Sequence, residues 1–186
     1  MQPLLLVSYG APERQEDVVP FLNNLFAGKN VATERIAAAV EKYERLAARN
    51  LLRAMFCETE EFPEFPNHEQ ITTKAGLYSP LNSECRKLID GIRQIAPDMP
   101  IYWGNLFWHP LLTDTVAEMA RNGIERAVCF ATSVFDSLSG NRRYADALES
   151  ARQAVGGNAP LLEKLPLSFD HPLFIETQTD RLLETL

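Results

Sequence analysis

Short apolar runs of strand length alternate along this chain with longer segments that have helical periodicity. The first run, residues 4–7, is continuously apolar, and turn residues at 8–12 (SYGAP) end it. Similar runs occur in PIYWGNL, RAVCFAT and LLEKLPLS, and helical segments separate them. This order predicts an α/β fold with a doubly wound parallel sheet and helices on both of its faces. A binding crevice is expected at the carboxyl ends of the strands.

The length of the chain favours a single domain over residues 1–186, because domains usually contain about 100–200 residues. One segment departs from the alternation. Residues 50–78 contain five glutamates and two prolines and show no clear period. We interpret this segment as a surface insertion within the domain.

Charge and cysteine content exclude several classes of partner. The net charge is −7 and no lysine or arginine cluster is present, which argues against nucleic acid or an anionic membrane as the main partner. No apolar run reaches the roughly 18 residues of a membrane span. The three cysteines are far apart and form no metal-binding pattern, which favours free thiols and a cytoplasmic location. Small molecules or proteins are the expected partners.

Proline marks three expected helix starts. In Asp17-Val18-Val19-Pro20, the proline is expected near the first turn of a helix of about two turns that Gly28 ends. His109-Pro110 and His171-Pro172 each place a histidine at an N-cap and a proline at the first helical position. A structural role is therefore expected for both histidines.

The segment from Ala131 to Tyr144 (ATSVFDSLSGNRRY) is the strongest candidate anion site. It follows a strand, supplies several hydroxyl groups, and opens a helix with Arg142 and Arg143 in its first turns. Helix N-termini and arginine side chains both favour carboxylates or phosphates. A serine-rich N-cap whose arginines point into solvent explains the same residues equally well.

Four motifs occur together and in a characteristic order: LLLVSYGAP, YSPLNSECRKLI, GNLFWHPLLTDTVAEMARNGIERAVCFATSVFDSLSGNRRY and LPLSFDHPLFIETQTDRL. In this combination the chain resembles the N-terminal half of a ferrochelatase of the bacterial coproporphyrin type. The resemblance implies a class II chelatase-like half. It also implies a lyase of haem biosynthesis that inserts ferrous iron into a porphyrin, with both as substrates and no permanently bound cofactor.

The resemblance also implies which residues line the porphyrin. Tyr9 would lie against the ring, where its phenolic oxygen could reach the iron as an axial group. The expected porphyrin-binding residues are Tyr9, Lys42, Tyr43, Ser79, Ser139, Arg142, Arg143 and Tyr144. Phe26-Ala27 stands where the family often has an arginine, which weakens one propionate contact.

The family's metal- and proton-handling histidine and glutamate belong to its second domain, so no catalytic residue is identified in this chain. Three functions remain open. The chain could act with a second chelatase domain as a ferrochelatase, pair with a copy of itself as a half-sized homodimeric chelatase, or bind porphyrin or haem without catalysis. The expected small-molecule partner is a tetrapyrrole in each case.

Overall fold

The computed structural model describes residues 1–57 and 79–184. For residues 48–57 and 138–139 it describes the backbone only. Strands and helices alternate after the first three helices. The elements in chain order are β1 (Leu4–Ser8), α1 (Gln15–Phe26), α2 (Thr33–Cys57), α3 (Leu81–Ile95), β2 (Ile101–Asn105), α4 (Leu112–Arg121), β3 (Arg126–Ala131), a π-helical turn (Leu138–Arg142), α5 (Arg143–Val155), β4 (Leu161–Lys164) and α6 (Pro172–Glu184).

The strands form one four-stranded parallel sheet in the order β2-β1-β3-β4. Strand β1 is therefore central, and its residues Leu5, Leu6 and Val7 are fully buried. A continuously apolar strand is what burial on both faces requires, because neither side of the strand meets water. The predicted α/β doubly wound fold class is confirmed.

The described chain divides into two compact units. The sheet unit consists of Met1–Ser8, Asp98–Leu106 and Pro110–Leu186, and the helical unit consists of Tyr9–Pro97 and Phe107–His109. The sheet unit therefore contains all four strands with α4, α5 and α6. The helical unit contains α1, α2 and α3.

Within the sheet unit, α4 packs against both β2 and α5. Val116 and Met119 of α4 are completely buried, as is Cys129 of β3. Burial raises the pKa of the Cys129 thiol to about 12, because the thiolate would lose its hydration. The thiol therefore belongs to the core as a small apolar group.

Within the helical unit, α1 and α2 share an apolar interface. Val18, Phe21 and Leu22 of α1 are buried with Ala47 of α2. Phe107 and Trp108, which follow β2, pack against the same cluster. The periodic apolar face of α1 is thus what holds the two helices together.

Two of the expected helix starts differ from the structure. Helix α1 begins at Gln15, where Asp17 Oδ2 accepts hydrogen bonds from the backbone N–H groups of Glu13 and Arg14. The helix has 12 residues, so it is longer than expected and Pro20 lies in its interior. A carboxylate that caps the preceding backbone starts the helix earlier than the proline indicated.

The histidine-proline pairs behave differently from each other. Helix α4 begins only at Leu112, because the carbonyl of Pro110 accepts a hydrogen bond from Asn105 N–H (2.7 Å) at the end of β2. His109 is therefore not an N-cap. At the other pair the prediction is confirmed, since α6 begins at Pro172 and His171 Nδ1 accepts from Leu173 N–H (3.2 Å).

The predicted surface insertion at residues 50–78 overlaps a helix. Helix α2 continues through Cys57, so the first part of that segment is helical rather than aperiodic. Residues 58–78 lie outside the described part of the chain. Among the helices of the described ranges, none combines the length and apolarity needed to cross a bilayer.

Candidate functional site

Tyr9 follows β1 directly and belongs to the helical unit. Gly10 has a φ of +73°, a conformation that glycine adopts at little cost, and it turns the chain sharply after the tyrosine. The Tyr9 carbonyl accepts a hydrogen bond from Phe107 N–H (3.0 Å), and the two rings pack with centroids 5.3 Å apart. The half-buried phenol is thus held by an aromatic neighbour that sequence reasoning did not select.

An apolar cavity of about 320 Å³ lies within the helical unit. Its volume falls at the lower end of the roughly 300–1,000 Å³ range of small-molecule sites. Its wall is formed by Leu22, Leu25 and Phe26 of α1, by Ala39, Lys42, Tyr43 and Leu46 of α2, and by Ser79. Three of the predicted porphyrin-binding residues, Lys42, Tyr43 and Ser79, therefore line one cavity.

The polar groups of this cavity differ in burial. Tyr43 is half-buried and its ring meets Phe21 edge to face, with centroids 6.0 Å apart. Burial raises the pKa of Tyr43, because the phenolate would be poorly hydrated, so the group is a neutral phenol at physiological pH. Lys42 is exposed. The cavity therefore combines an apolar wall with a phenol and an ammonium group.

Ser79 lies at the start of α3. Its Oγ accepts a hydrogen bond from the backbone N–H of Leu81 (3.3 Å), in the manner of a helix cap. Farther along α3, the Asn82 amide is buried, and its Nδ2 donates to the carbonyl of Ala11 (2.9 Å). Helix α3 thus anchors the turn that follows Tyr9.

The other four predicted residues belong to the sheet unit. Ser137 Oγ accepts a hydrogen bond from Gly140 N–H (2.9 Å) and so caps the π-helical turn that contains Ser139 and Arg142. A Cβ at Gly140 would lie 2.5 Å from Ser133 Oγ and 2.6 Å from Ser137 Oγ, so a larger residue there would have to displace both hydroxyl groups. The Ser139 side chain lies outside the described part. Arg142 is exposed and Arg143 is half-buried at the start of α5.

Tyr144 is deeply buried, with 2% of its surface exposed. Its hydroxyl lies 3.1 Å from Thr132 Oγ, so helix α5 is tied to the end of β3. This contact gives Tyr144 a structural role within the sheet unit. Its contact with porphyrin stays a prediction.

The structure thus brings Lys42, Tyr43 and Ser79 to one cavity and places Tyr9 in the same unit. Ser139, Arg142, Arg143 and Tyr144 belong to the other unit. That the two groups meet at one tetrapyrrole slot stays a prediction.

Sequence reasoning missed the aromatic segment at Phe107 and Trp108 and the wall residues of α1. Asn24 Nδ2 donates to the Phe107 carbonyl (3.1 Å) and fixes this segment against α1. The two adjacent aromatics in LFWHP, between a strand and a helix, were the available signal. Among the side chains that the structure describes, no group of three histidine, cysteine or acidic residues gathers as metal ligands would.

The parallel sheet defines an α/β protein, and the helical unit adds an apolar cavity with a cation in its wall. The family model described as ferrochelatase matches residues 2–186. The chain belongs to the ferrochelatase family, which confirms the resemblance in its motifs.

Curated relatives agree with this assignment. The chain is 40% identical to the coproporphyrin III ferrochelatase of Frankia alni over 185 residues, which cover 98% of the chain and 40% of the relative. It is 37% identical to the coproporphyrin III ferrochelatase of Nocardia farcinica, and the match covers 100% of the chain and 46% of the relative. It is 37% identical to the ferrochelatase of Rhodopirellula baltica, and the match covers 95% of the chain and 43% of the relative. The chain therefore spans less than half the length of these relatives.

Proposed function

We propose that this chain provides porphyrin-binding surface to a ferrochelatase that inserts ferrous iron into coproporphyrin III during haem biosynthesis. The observation that carries the proposal is the apolar cavity between α1 and α2 that Lys42, Tyr43 and Ser79 line. Coproporphyrin III is named for the relatives in Frankia and Nocardia. Porphyrin and iron are substrates in this proposal, and no permanently bound cofactor is required.

The chemistry of a porphyrin suits such a surface. The macrocycle has two large apolar faces and carboxylates at its edge, so it needs an apolar wall flanked by cations or hydrogen-bond donors. Leu22, Leu25 and Phe26 supply the wall and Lys42 supplies a cation. Arg142 and Arg143 are the proposed cations of the sheet unit.

Iron insertion releases the two protons of the pyrrole N–H groups as the metal enters the ring. The porphyrin must be held while these protons leave and the metal approaches from one face. We assign to this chain the holding of the ring. We assign to Tyr9 an approach of its phenolic oxygen to the iron, a type of ligand that catalase-type haem sites also use.

The remaining groups of the reaction are proposed to come from a second chelatase domain. Helix α6 has no buried side chain, and Leu173, Ile175, Leu182 and Leu183 expose more than half of their surface. Several large exposed apolar side chains on a helix that buries none are typical of an element that a partner covers. A second copy of the chain is the alternative partner, and a porphyrin carrier without catalysis is the alternative function. The cytoplasm is the proposed location.

Porphyrin binding is tested by titrating coproporphyrin III into the protein and following the Soret band. We expect a spectral shift, and we expect the double variant Tyr9→Phe with Ser79→Ala to weaken binding roughly thirtyfold, because each of the two lost hydrogen bonds is worth about 1 kcal/mol. The matched control is Tyr102→Phe with Ser83→Ala, which removes the same atoms from residues outside the cavity wall. A wild-type chain that gives no shift at micromolar porphyrin would refute the proposal.

Iron insertion separates the three functions. Turnover that appears only when a second-domain ferrochelatase polypeptide is added supports the split enzyme. Turnover by the chain alone, together with a dimer in sedimentation, supports the homodimeric chelatase. Porphyrin binding without turnover in either case supports the carrier.

A further inference from the structure

Lys29 lies just beyond the end of α1, and the local backbone turns it back toward that helix. Gly28 has a φ of +72°, which reverses the chain after the last helical turn. Lys29 N–H then donates to the carbonyl of Phe26 (2.9 Å). The side chain consequently returns along α1 instead of continuing away from it.

The Lys29 ammonium group lies at one end of the cavity wall. Its Nζ donates to the carbonyl of Leu25 (2.9 Å) and lies 5.9 Å from the centre of the Phe26 ring. Leu25 and Phe26 are both wall residues of the cavity. A second cation is therefore held against the residues that would contact a ligand, although Lys29 itself was not selected from the sequence.

The hydrogen-bonding capacity of this ammonium group is only partly used. An ammonium group has three N–H donors, and the Leu25 carbonyl takes one of them. Within the described residues, no carboxylate lies within ion-pair distance of Lys29 or Lys42, whereas the nearby Arg45 pairs with Glu41 (3.4 Å). Neither ammonium group is thus paired with a carboxylate of the described residues, and each can bind a carboxylate of a ligand.

We propose that Lys29 is a second carboxylate-binding group of this cavity, which acts together with Lys42 on a ligand that carries at least two carboxylates on an apolar body. The assignment rests on the proposed function, because it concerns the same cavity. Lys29 approaches from the end of α1 and Lys42 from α2. Two point charges, one beyond the end of α1 and one on α2, favour ligands with two separated carboxylates over ligands with one or none.

Helix capping alone would also place a lysine at this position, because cations interact favourably with the last carbonyls of a helix. The two roles predict different results for a neutral ligand. A capping lysine stabilises the helix whatever the ligand is, whereas a carboxylate-binding lysine affects only ligands that carry the charge.

The experiment compares two probes, coproporphyrin III and its tetramethyl ester in the same detergent, with wild type and Lys29→Met. We expect the variant to weaken coproporphyrin III binding about three- to fivefold, as for an exposed ion pair, and to change ester binding less than twofold. Lys29→Arg should restore the affinity for the free acid. The control Arg35→Met removes one positive charge from α2 at a residue outside the cavity wall, and it should leave both affinities unchanged.

Equal binding of coproporphyrin III by wild type and Lys29→Met would overturn the Lys29 assignment and leave the proposed function standing. Equal weakening of acid and ester would also overturn it, since that result indicates capping. If the wild type binds neither probe, the proposed function fails and the Lys29 assignment fails with it.

Discussion

Gly104 of β2 is the position where the smallest possible change should have a measurable effect on stability. A Cβ added there would lie 2.9 Å from both Cα and Cδ1 of Leu112 and 3.2 Å from Oγ1 of Thr115. The optimal van der Waals separation of non-bonded carbon atoms is about 3.5–4.0 Å. The methyl group of Gly104→Ala would therefore overlap α4 by at least about half an ångström, and part of that overlap is with backbone.

The overlap cannot be relieved by a side-chain rotation alone. Thr115 Oγ1 donates to the carbonyl of Trp103 (2.9 Å), which ties α4 to the strand at this point. Overpacking of this kind lowers the free energy of unfolding by about 1–3 kcal/mol. Alanine also reduces the conformational entropy of the unfolded chain, which offsets about 0.4–1 kcal/mol of this loss. We expect Gly104→Ala to lower the free energy of unfolding by about 1–2 kcal/mol.

The matched control is Gly91→Ala in the interior of α3. No heavy atom lies within 4 Å of a Cβ at Gly91, so this substitution should raise the free energy of unfolding by about 0.5–1 kcal/mol through helix propensity. Urea unfolding followed by far-UV circular dichroism measures both variants without relying on the fluorescence of the adjacent Trp103. A Gly104→Ala midpoint at or above that of wild type would refute the close packing of α4 on β2.

Three further substitutions test contacts in the two units. Asn82→Ala should lower the free energy of unfolding by about 1–3 kcal/mol, because the buried Ala11 carbonyl loses its donor. A variant with the same urea unfolding midpoint as wild type would contradict this. Tyr144→Phe should cost about 0.5–1.5 kcal/mol through loss of the Thr132 contact, measured in the same way, and no loss would mean that this hydrogen bond contributes nothing. Burial raises the pKa of Cys129 to about 12, so its stabilising effect is complete below the ordinary thiol pKa of about 8.5 and is lost as pH rises toward 12. The urea unfolding midpoint should therefore fall less between about pH 8 and about pH 10 in Cys129→Ala than in wild type. An equal fall in both proteins would refute the raised pKa of Cys129.

Local chemistry accounts for the features that could be predicted from the sequence. The continuous apolar run at residues 4–7 predicted a strand buried on both faces, and Leu5, Leu6 and Val7 are fully buried. The alternation of strands and helices predicted a parallel sheet, which is confirmed. The family resemblance, and not local chemistry, named Lys42, Tyr43 and Ser79; these residues line one cavity, and their contact with porphyrin stays a prediction.

Features that depend on distant partners were not predicted. The His109-Pro110 pair carries the residues of a helix start, yet the Pro110 carbonyl pairs with the Asn105 amide and the helix begins later. The contact of the Tyr144 hydroxyl with Thr132 was not predicted either, because it joins the start of α5 to the end of β3.

The sequence by itself determined the number and type of strands, the buried character of β1, and the family through its ordered motifs. Only the tertiary structure decided the strand order β2-β1-β3-β4, the cavity wall that α1 contributes, and the return of Lys29 to Leu25 and Phe26. The physical reason is that periodicity and turn chemistry act over a few residues of backbone. Strand order and cavity walls instead depend on which distant apolar surfaces exclude water from each other, and local residue preferences do not encode that choice.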